Sequence, residues 1–245
     1  MTYCLALKLR EGLVFASDSR TTAGADYIST YRKMHVYQPR EDRLIVVLTA
    51  GSLATTQEVL DNLQRDLASR ENPESLASVQ YLFEAARYVG KVLNTVVQQH
   101  ASAMQSSGFD ARATMIVGGQ IAAQPPEIYT VYPEGNYVAA TWETPFLQLG
   151  EFKYGKPILS RIASPDLTLE DAARLALISF DAAMKSNPSV GPPVELAIYP
   201  QGAFRFSQHL VLAADSDFLR SVCRDWNEKL TEAFRTLPRF DWETH

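Results

Sequence analysis

Strand-like and helix-like patterns come in blocks along this chain, and that ordering restricts the fold more than any other feature. Tyr3, Leu5, Leu7 and Leu9 alternate with Cys4, Ala6 and Lys8, which predicts a first strand. Glu11-Gly12 marks a turn, and Leu13 to Ser17 predicts the return strand of a hairpin. A polar, glycine-containing stretch runs from Ser19 to Tyr31. Strands are expected from Lys33 to Tyr37 and over Leu44–Leu48, an apolar run of the kind covered on both faces. Ser52 suits the N-cap of a helix to about Ser69. Asn72-Pro73 separates it from a longer helix, about Leu76 to Met104, with apolar residues at helical spacing.

A second block of strands is expected at 111–117, 127–132, 137–142 and 146–149. Helices over 153–162 and 169–185 follow, the second opened by a Thr168–Asp171 capping pair. Closing strands are expected at 194–199, 203–206 and 210–212, then a helix from Asp215 to Arg235. Blocks of this kind suit antiparallel sheets covered by helix pairs, not a doubly wound parallel sheet. The fold class is therefore α+β. No linker, repeat or low-complexity segment divides the 245 residues. One domain over 1–245 is expected, with 238–245 a flexible tail or partner contact.

Composition narrows the function classes. The net charge is -5 and no Lys/Arg run occurs, which argues against a nucleic-acid binder working by phosphate neutralisation. The longest apolar runs are too short for a membrane span. Cys4 and Cys223 give neither a disulfide framework nor a metal-ligand pair. His35, His100, His209 and His245 lack a second His or Cys at ligand spacing, so no metal is expected. There is no phosphate-cradling loop, no dinucleotide fingerprint and no Gly-x-Ser-x-Gly elbow, so no cofactor is expected. Asp215 and Asp217 read as caps of the last helix. The start lacks a basic region and a long apolar stretch, so cytoplasmic residence is expected.

The positive signal lies in the first fifty residues. A small second residue lets an aminopeptidase remove Met1, leaving Thr2 with a free α-amine and a β-hydroxyl. An α-amine has a reference pKa of about 7.7–8.0, so roughly a tenth is neutral at pH 7. Such an amine can take the hydroxyl proton as the oxygen attacks a carbonyl, the N-terminal threonine form of nucleophile-plus-base catalysis. With a tight turn at Arg10-Glu11, residue 9 pairs with 12 and residue 2 lies opposite 19, which brings Asp18 beside Thr2. Lys33 follows the polar stretch, and its cation beside Asp18 would favour a neutral amine. Gly51 directly follows the apolar strand, where a backbone N–H near a helix start can hold an oxyanion. Taken singly, each of the four has an ordinary structural reading as well: an inert second residue, a loop aspartate, an exposed lysine, a plain turn.

Together these positions resemble the β-subunits of the proteasome and of the related bacterial two-component protease. The matching elements are Thr2, Ala-Ser-Asp-Ser-Arg at 16–20, Lys33 and Thr-Ala-Gly-Ser at 49–52. Ile28-Ser29-Thr30-Tyr31-Arg32-Lys33 and Ser189-Val190-Gly191-Pro192-Pro193 are similar to the Anbu branch, the ancestral β-subunits of bacteria. The resemblance implies a four-layer αββα sandwich of the N-terminal nucleophile hydrolase class. It implies Thr2 as nucleophile with its own amine as base, Asp18 and Lys33 as the charge pair, and the Gly51 N–H as oxyanion donor. It implies a peptide or peptide-like amide substrate and self-association, as a closed ring or an open helical or lock-washer assembly. An ATPase partner is not inferable from it.

The chain also departs from the proteasome pattern. Where the family carries Gly-Ser-Gly, this chain has Leu149-Gly150-Glu151, with Glu151 as the candidate replacement. Where the family carries Arg-Asp-x-x-Ser-Gly, this chain reads Lys185-Ser186-Asn187-Pro188-Ser189-Val190. Ser189 keeps the serine and Ser186 stands in for the aspartate. Ser19, Glu151, Ser186 and Ser189 are thus supporting candidates. A non-catalytic self-assembling scaffold and an amidase acting on non-protein amides stay open beside the peptidase.

Overall fold

The computed structural model describes residues 2–23, 27–69 and 74–243. Its opening hairpin follows from the turn at residues 10–11: β1 (Tyr3–Leu9) and β2 (Gly12–Asp18) pair antiparallel, with Leu9 opposite Gly12 and Cys4 opposite Ser17. This is the expected register. Alternate residues of β1 then enter different cores. Tyr3, Leu5, Leu7 and Leu9 pack under a helical layer, and Cys4 and Ala6 face a second sheet.

The remaining strands are β3 (Arg20–Ala23), β4 (Tyr27–Thr30), β5 (Met34–Tyr37), β6 (Arg43–Gly51), β7 (Ala113–Ile121), β8 (Glu127–Val131), β9 (Tyr137–Ala139), β10 (Phe146–Gly150), β11 (Val194–Pro200) and β12 (Gln208–Leu212). One five-stranded sheet runs β10-β1-β2-β11-β12 and the other β5-β6-β7-β8-β9, every pairing antiparallel. β3 and β4 form a separate hairpin. The helices are α1 (Leu53–Ala68), α2 (Leu82–Ser106), α3 (Phe152–Ile162), α4 (Leu169–Ser186) and α5 (Asp217–Arg235).

Three apolar clusters define the layers. Leu159, Phe180 and Leu219 of α3, α4 and α5 cover the outer face of the first sheet. Val59, Leu63, Val89 and Leu93 of α1 and α2 cover the outer face of the second. Phe15, Met34, Leu48, Ile116 and Tyr199 fill the space between the sheets. This is the expected αββα order. Both sheets are covered on both faces, which explains the near-continuous burial of β1, β2 and β6. Among the described residues, no helix is long and apolar enough to cross a membrane.

Several element boundaries differ from expectation. The polar stretch after Ser19 contains the β3–β4 hairpin; its residues 24–26 lie outside the described residues, as does the Asn72-Pro73 break. Lys33 precedes β5 and does not begin it. Helix α2 starts at Leu82, not near Leu76. Ser75 and Ser78 hold a local turn there, with the Ser75 N–H donating to Ser78 Oγ and Ser78 Oγ donating to the Ser75 carbonyl, which competes with helix. Residues 203–206 are not a strand, because Phe204 takes φ 48° after Gly202 at φ 76°; the last strand begins at Gln208. Residues 241–243 form a 3-10 turn, and 244–245 lie outside the described residues.

Candidate active site

Thr2 stands one residue before β1, and three features hold its main chain. Its carbonyl accepts the Glu151 N–H at 2.8 Å. The next N–H, of Tyr3, donates to Asp18 Oδ1 at 3.0 Å. Gly150 closes the third side: it takes φ +77°, and a Cβ there would lie 1.7 Å from the Thr2 carbonyl oxygen. Only glycine lets β10 approach Thr2 so closely.

Asp18 ends β2 and is fully shielded from solvent. Besides the Tyr3 N–H, its Oδ1 accepts Lys33 Nζ at 2.6 Å, while its Oδ2 accepts a long contact from the Gly191 N–H at 3.5 Å. Burial pushes the Asp18 carboxyl above the usual carboxylate range; the Lys33 charge, its hydrogen bond and the two N–H groups pull the other way. Lys33 Nζ also donates to the Arg20 carbonyl at 2.6 Å. The Lys33 backbone is tied to β6, since its carbonyl accepts the Thr49 N–H at 3.0 Å. A strand of one sheet and a loop tied to the other thus supply the two halves of this buried couple.

Gly51 ends β6 at φ +110°, opposite Ala113 of β7. A Cβ there would meet the Arg112 carbonyl oxygen at 2.6 Å. Ser52 then caps α1, its side chain accepting the Thr55 N–H at 3.3 Å, as its sequence position predicts. Thr2, Lys33 and Gly51 line one cavity of about 250 Å³, together with Thr21, Tyr31, Arg32, Leu53, Thr56 and Gly150. A threonine, a lysine and a strand-end glycine therefore line the same space. A larger cleft of about 800 Å³ lies along α2, beside Asp110, Arg112 and Glu134, away from Thr2; it has no comparable grouping.

The supporting candidates divide. Ser19 is buried and donates to the Pro193 carbonyl at 2.7 Å, so it ties down the segment that carries Gly191. Glu151 is 7% exposed and adjoins Thr2 through the backbone bond above. Ser186 is exposed at the end of α4, and Ser189 lies in the turn that follows, its N–H donating to Asn187 Oδ1 at 2.9 Å. Neither serine lines the Thr2 cavity. What that segment delivers to the site is the Gly191 N–H. The sequence marked Gly191 only as part of a motif, because a main-chain donor leaves no side-chain signature.

Cys4, next along β1 on the inter-sheet face, is wholly buried, and burial pushes its thiol far up. Among the described residues, no group of three His, Cys, Asp or Glu side chains is placed to hold a metal ion.

Comparison with known proteins gives consistent likenesses. The family model for proteasome subunits matches residues 2–199. Proteasome subunit beta 2 of Nitrosopumilus maritimus is 26% identical over 215 residues, which is 83% of this chain and 88% of that protein. Among solved structures, Anbu (ancestral beta-subunit) from Yersinia bercovieri is 40% identical, with a TM-score of 0.90 over 98% of this chain and 99% of the other. The Anbu complex of Pseudomonas aeruginosa, solved as a helical assembly, is 40% identical with a TM-score of 0.92 over 100% of both chains.

Proposed function

Because the chain belongs to the proteasome subunit family, with Anbu proteins among its relatives, we propose that Thr2, once Met1 is removed, is the nucleophile of a threonine-type peptidase. The observation that carries this reading is the Asp18–Lys33 couple at 2.6 Å, whose lysine lines the cavity together with Thr2 and Gly51. The Lys33 charge disfavours a second positive charge nearby, which favours the neutral Thr2 amine and an ionised Thr2 oxygen.

The steps follow from the groups present. The Thr2 amine takes the hydroxyl proton as Oγ1 bonds to the substrate carbonyl carbon. The Gly51 N–H donates to the resulting oxyanion. The amide C–N bond then breaks, the amine of Thr2 passes its proton to the leaving nitrogen, and the acyl group remains on Oγ1 as an ester. Water attacks that ester with the same amine as base. The acid leaves, and the proton returns to Oγ1.

Self-association into a larger homo-oligomer belongs to the same proposal, supported by the helical assembly of the Pseudomonas aeruginosa relative. The direct test of function is a peptide library profiled with protein lacking Met1, beside Thr2→Ala processed in the same way. Cleavage that disappears in Thr2→Ala supports the peptidase. Equal cleavage by both proteins contradicts it, and a lack of cleavage by either favours the scaffold.

A further inference from the structure

Glu151 carries an unmet electrostatic demand beside the reaction centre. Its side chain is 8% exposed, and its Oε2 is buried with no hydrogen-bond partner among the described residues. The nearest cation is Lys153 Nζ at 4.0 Å, on a side chain that is 64% exposed. A buried carboxylate oxygen left in that state is costly and ordinarily finds a donor.

The strand geometry says where a donor would arise. Successive N–H groups of a strand point to opposite neighbours. The Tyr3 N–H points to the β2 side, where it meets Asp18. The Thr2 nitrogen therefore points to the β10 side, where Glu151 already donates its own N–H to the Thr2 carbonyl at 2.8 Å. Tyr3 pairs with Gly150, so Glu151 is the residue opposite Thr2 one step further on. Glu151 itself lies just past the end of that ladder, at the N-cap of α3, and the backbone bond to the Thr2 carbonyl keeps the two residues adjacent.

We infer that the Glu151 carboxylate seats the α-ammonium of processed Thr2 and thereby sets the acid limit of the reaction. This rests on the reading of Thr2 given above and concerns the regulation of that site. Glu151 is a positioning residue, since it acts through the amine. An adjacent carboxylate favours the charged amine, whereas the base must be neutral. Glu151 thus opposes Lys33: one holds the amine in place and protonated, the other pushes it towards the neutral form. Among the described residues, the charged or titratable groups on the elements packed about Thr2 are Asp18 from β2, Lys33 from the loop before β5, Tyr31 and Arg32 lining the cavity, Cys4 from β1, and Glu151 and Lys153 at the start of α3.

The test follows the amine directly. Protein lacking Met1, labelled with [13C]threonine, is titrated by NMR; the Thr2 signal is the one missing from Thr2→Ala. Glu151→Gln should titrate about one pH unit below wild type, the shift expected from removing an opposite charge within reach. Glu151→Asp should fall between them, which a purely structural role would not produce. The acid limb of kcat/KM should move down with the amine in Glu151→Gln. If Glu151→Gln fails to fold, Lys153→Ala supplies the reverse test, because loss of the competing cation should raise the midpoint. An unchanged midpoint in whichever variant folds overturns the inference. The titration needs no turnover, so an inactive wild type would defeat the peptidase reading while leaving this one decided by the midpoint.

Discussion

Lys33 Nζ lies 2.6 Å from Asp18 Oδ1, with the two side chains 6% and 0% exposed. Neither charge has bulk water to fall back on, so each depends on the other. The pair also spans the two sheets through β2 and the Lys33–Thr49 backbone bond. Chemistry and packing are therefore joined at this contact.

Replacing Lys33 by alanine should abolish turnover and cost about 3–5 kcal/mol of stability near neutral pH, the range for breaking a buried pair. The loss should depend on pH. Without Lys33, burial holds the Asp18 carboxyl higher still in the folded state than in the unfolded chain. A carboxyl raised on folding binds its proton more tightly in the native state, so stability falls as pH rises from the unfolded value through the folded one. Urea unfolding should thus show a smaller deficit near the acid end of that window than at neutral pH. An equal deficit at both would contradict the buried-charge account.

Gly150→Ala tests the clamp on Thr2. Its φ of +77° and the 1.7 Å approach of a built Cβ to the Thr2 carbonyl leave no room for a methyl group. A strained residue costs about 1–3 kcal/mol. Displacement of Thr2 by an ångström should lower kcat/KM about 100-fold. Thermal unfolding and peptide turnover measure the two effects, and unaltered turnover would mean that Thr2 does not need this placement.

Much of this site was legible because a tight turn turns spacing into register. The tight turn at Arg10-Glu11 fixes the pairing of β1 with β2, and that alone carries Asp18 to Thr2. Lys33 was marked by its place after a polar stretch, Gly51 by its place after an apolar strand, and both by family likeness. The β3–β4 hairpin was not visible, because its residues lack the apolar alternation that a half-buried strand displays. The start of α2 was misplaced because Leu76 and Val79 are buried like helical residues while Ser75 and Ser78 hold a turn. The cavity walls at Thr21, Leu53 and Thr56 arise from how two sheets stack, which no local pattern encodes. The Gly191 donor was hidden for a related reason: its contact belongs to the backbone.

Ser52→Ala should remove the cap of α1, where the serine side chain accepts the Thr55 N–H. The expected cost is about 1 kcal/mol. For a chain of this size that corresponds to about 2–4 °C in Tm. The adjoining Gly51 N–H should lose definition as the helix start frays, so kcat should fall more than KM rises. A change confined to KM would argue against an oxyanion role at Gly51.

The most direct test of the central claim is the reaction of Met1-processed protein with a peptide epoxyketone, followed by mass spectrometry of the adduct. Such a reagent needs a hydroxyl and an amine on the same residue to close its ring. The account predicts a single adduct on the peptide that begins at Thr2, retained in Thr2→Ser and lost in Thr2→Ala. An adduct at another residue, or labelling that persists in Thr2→Ala, would contradict it.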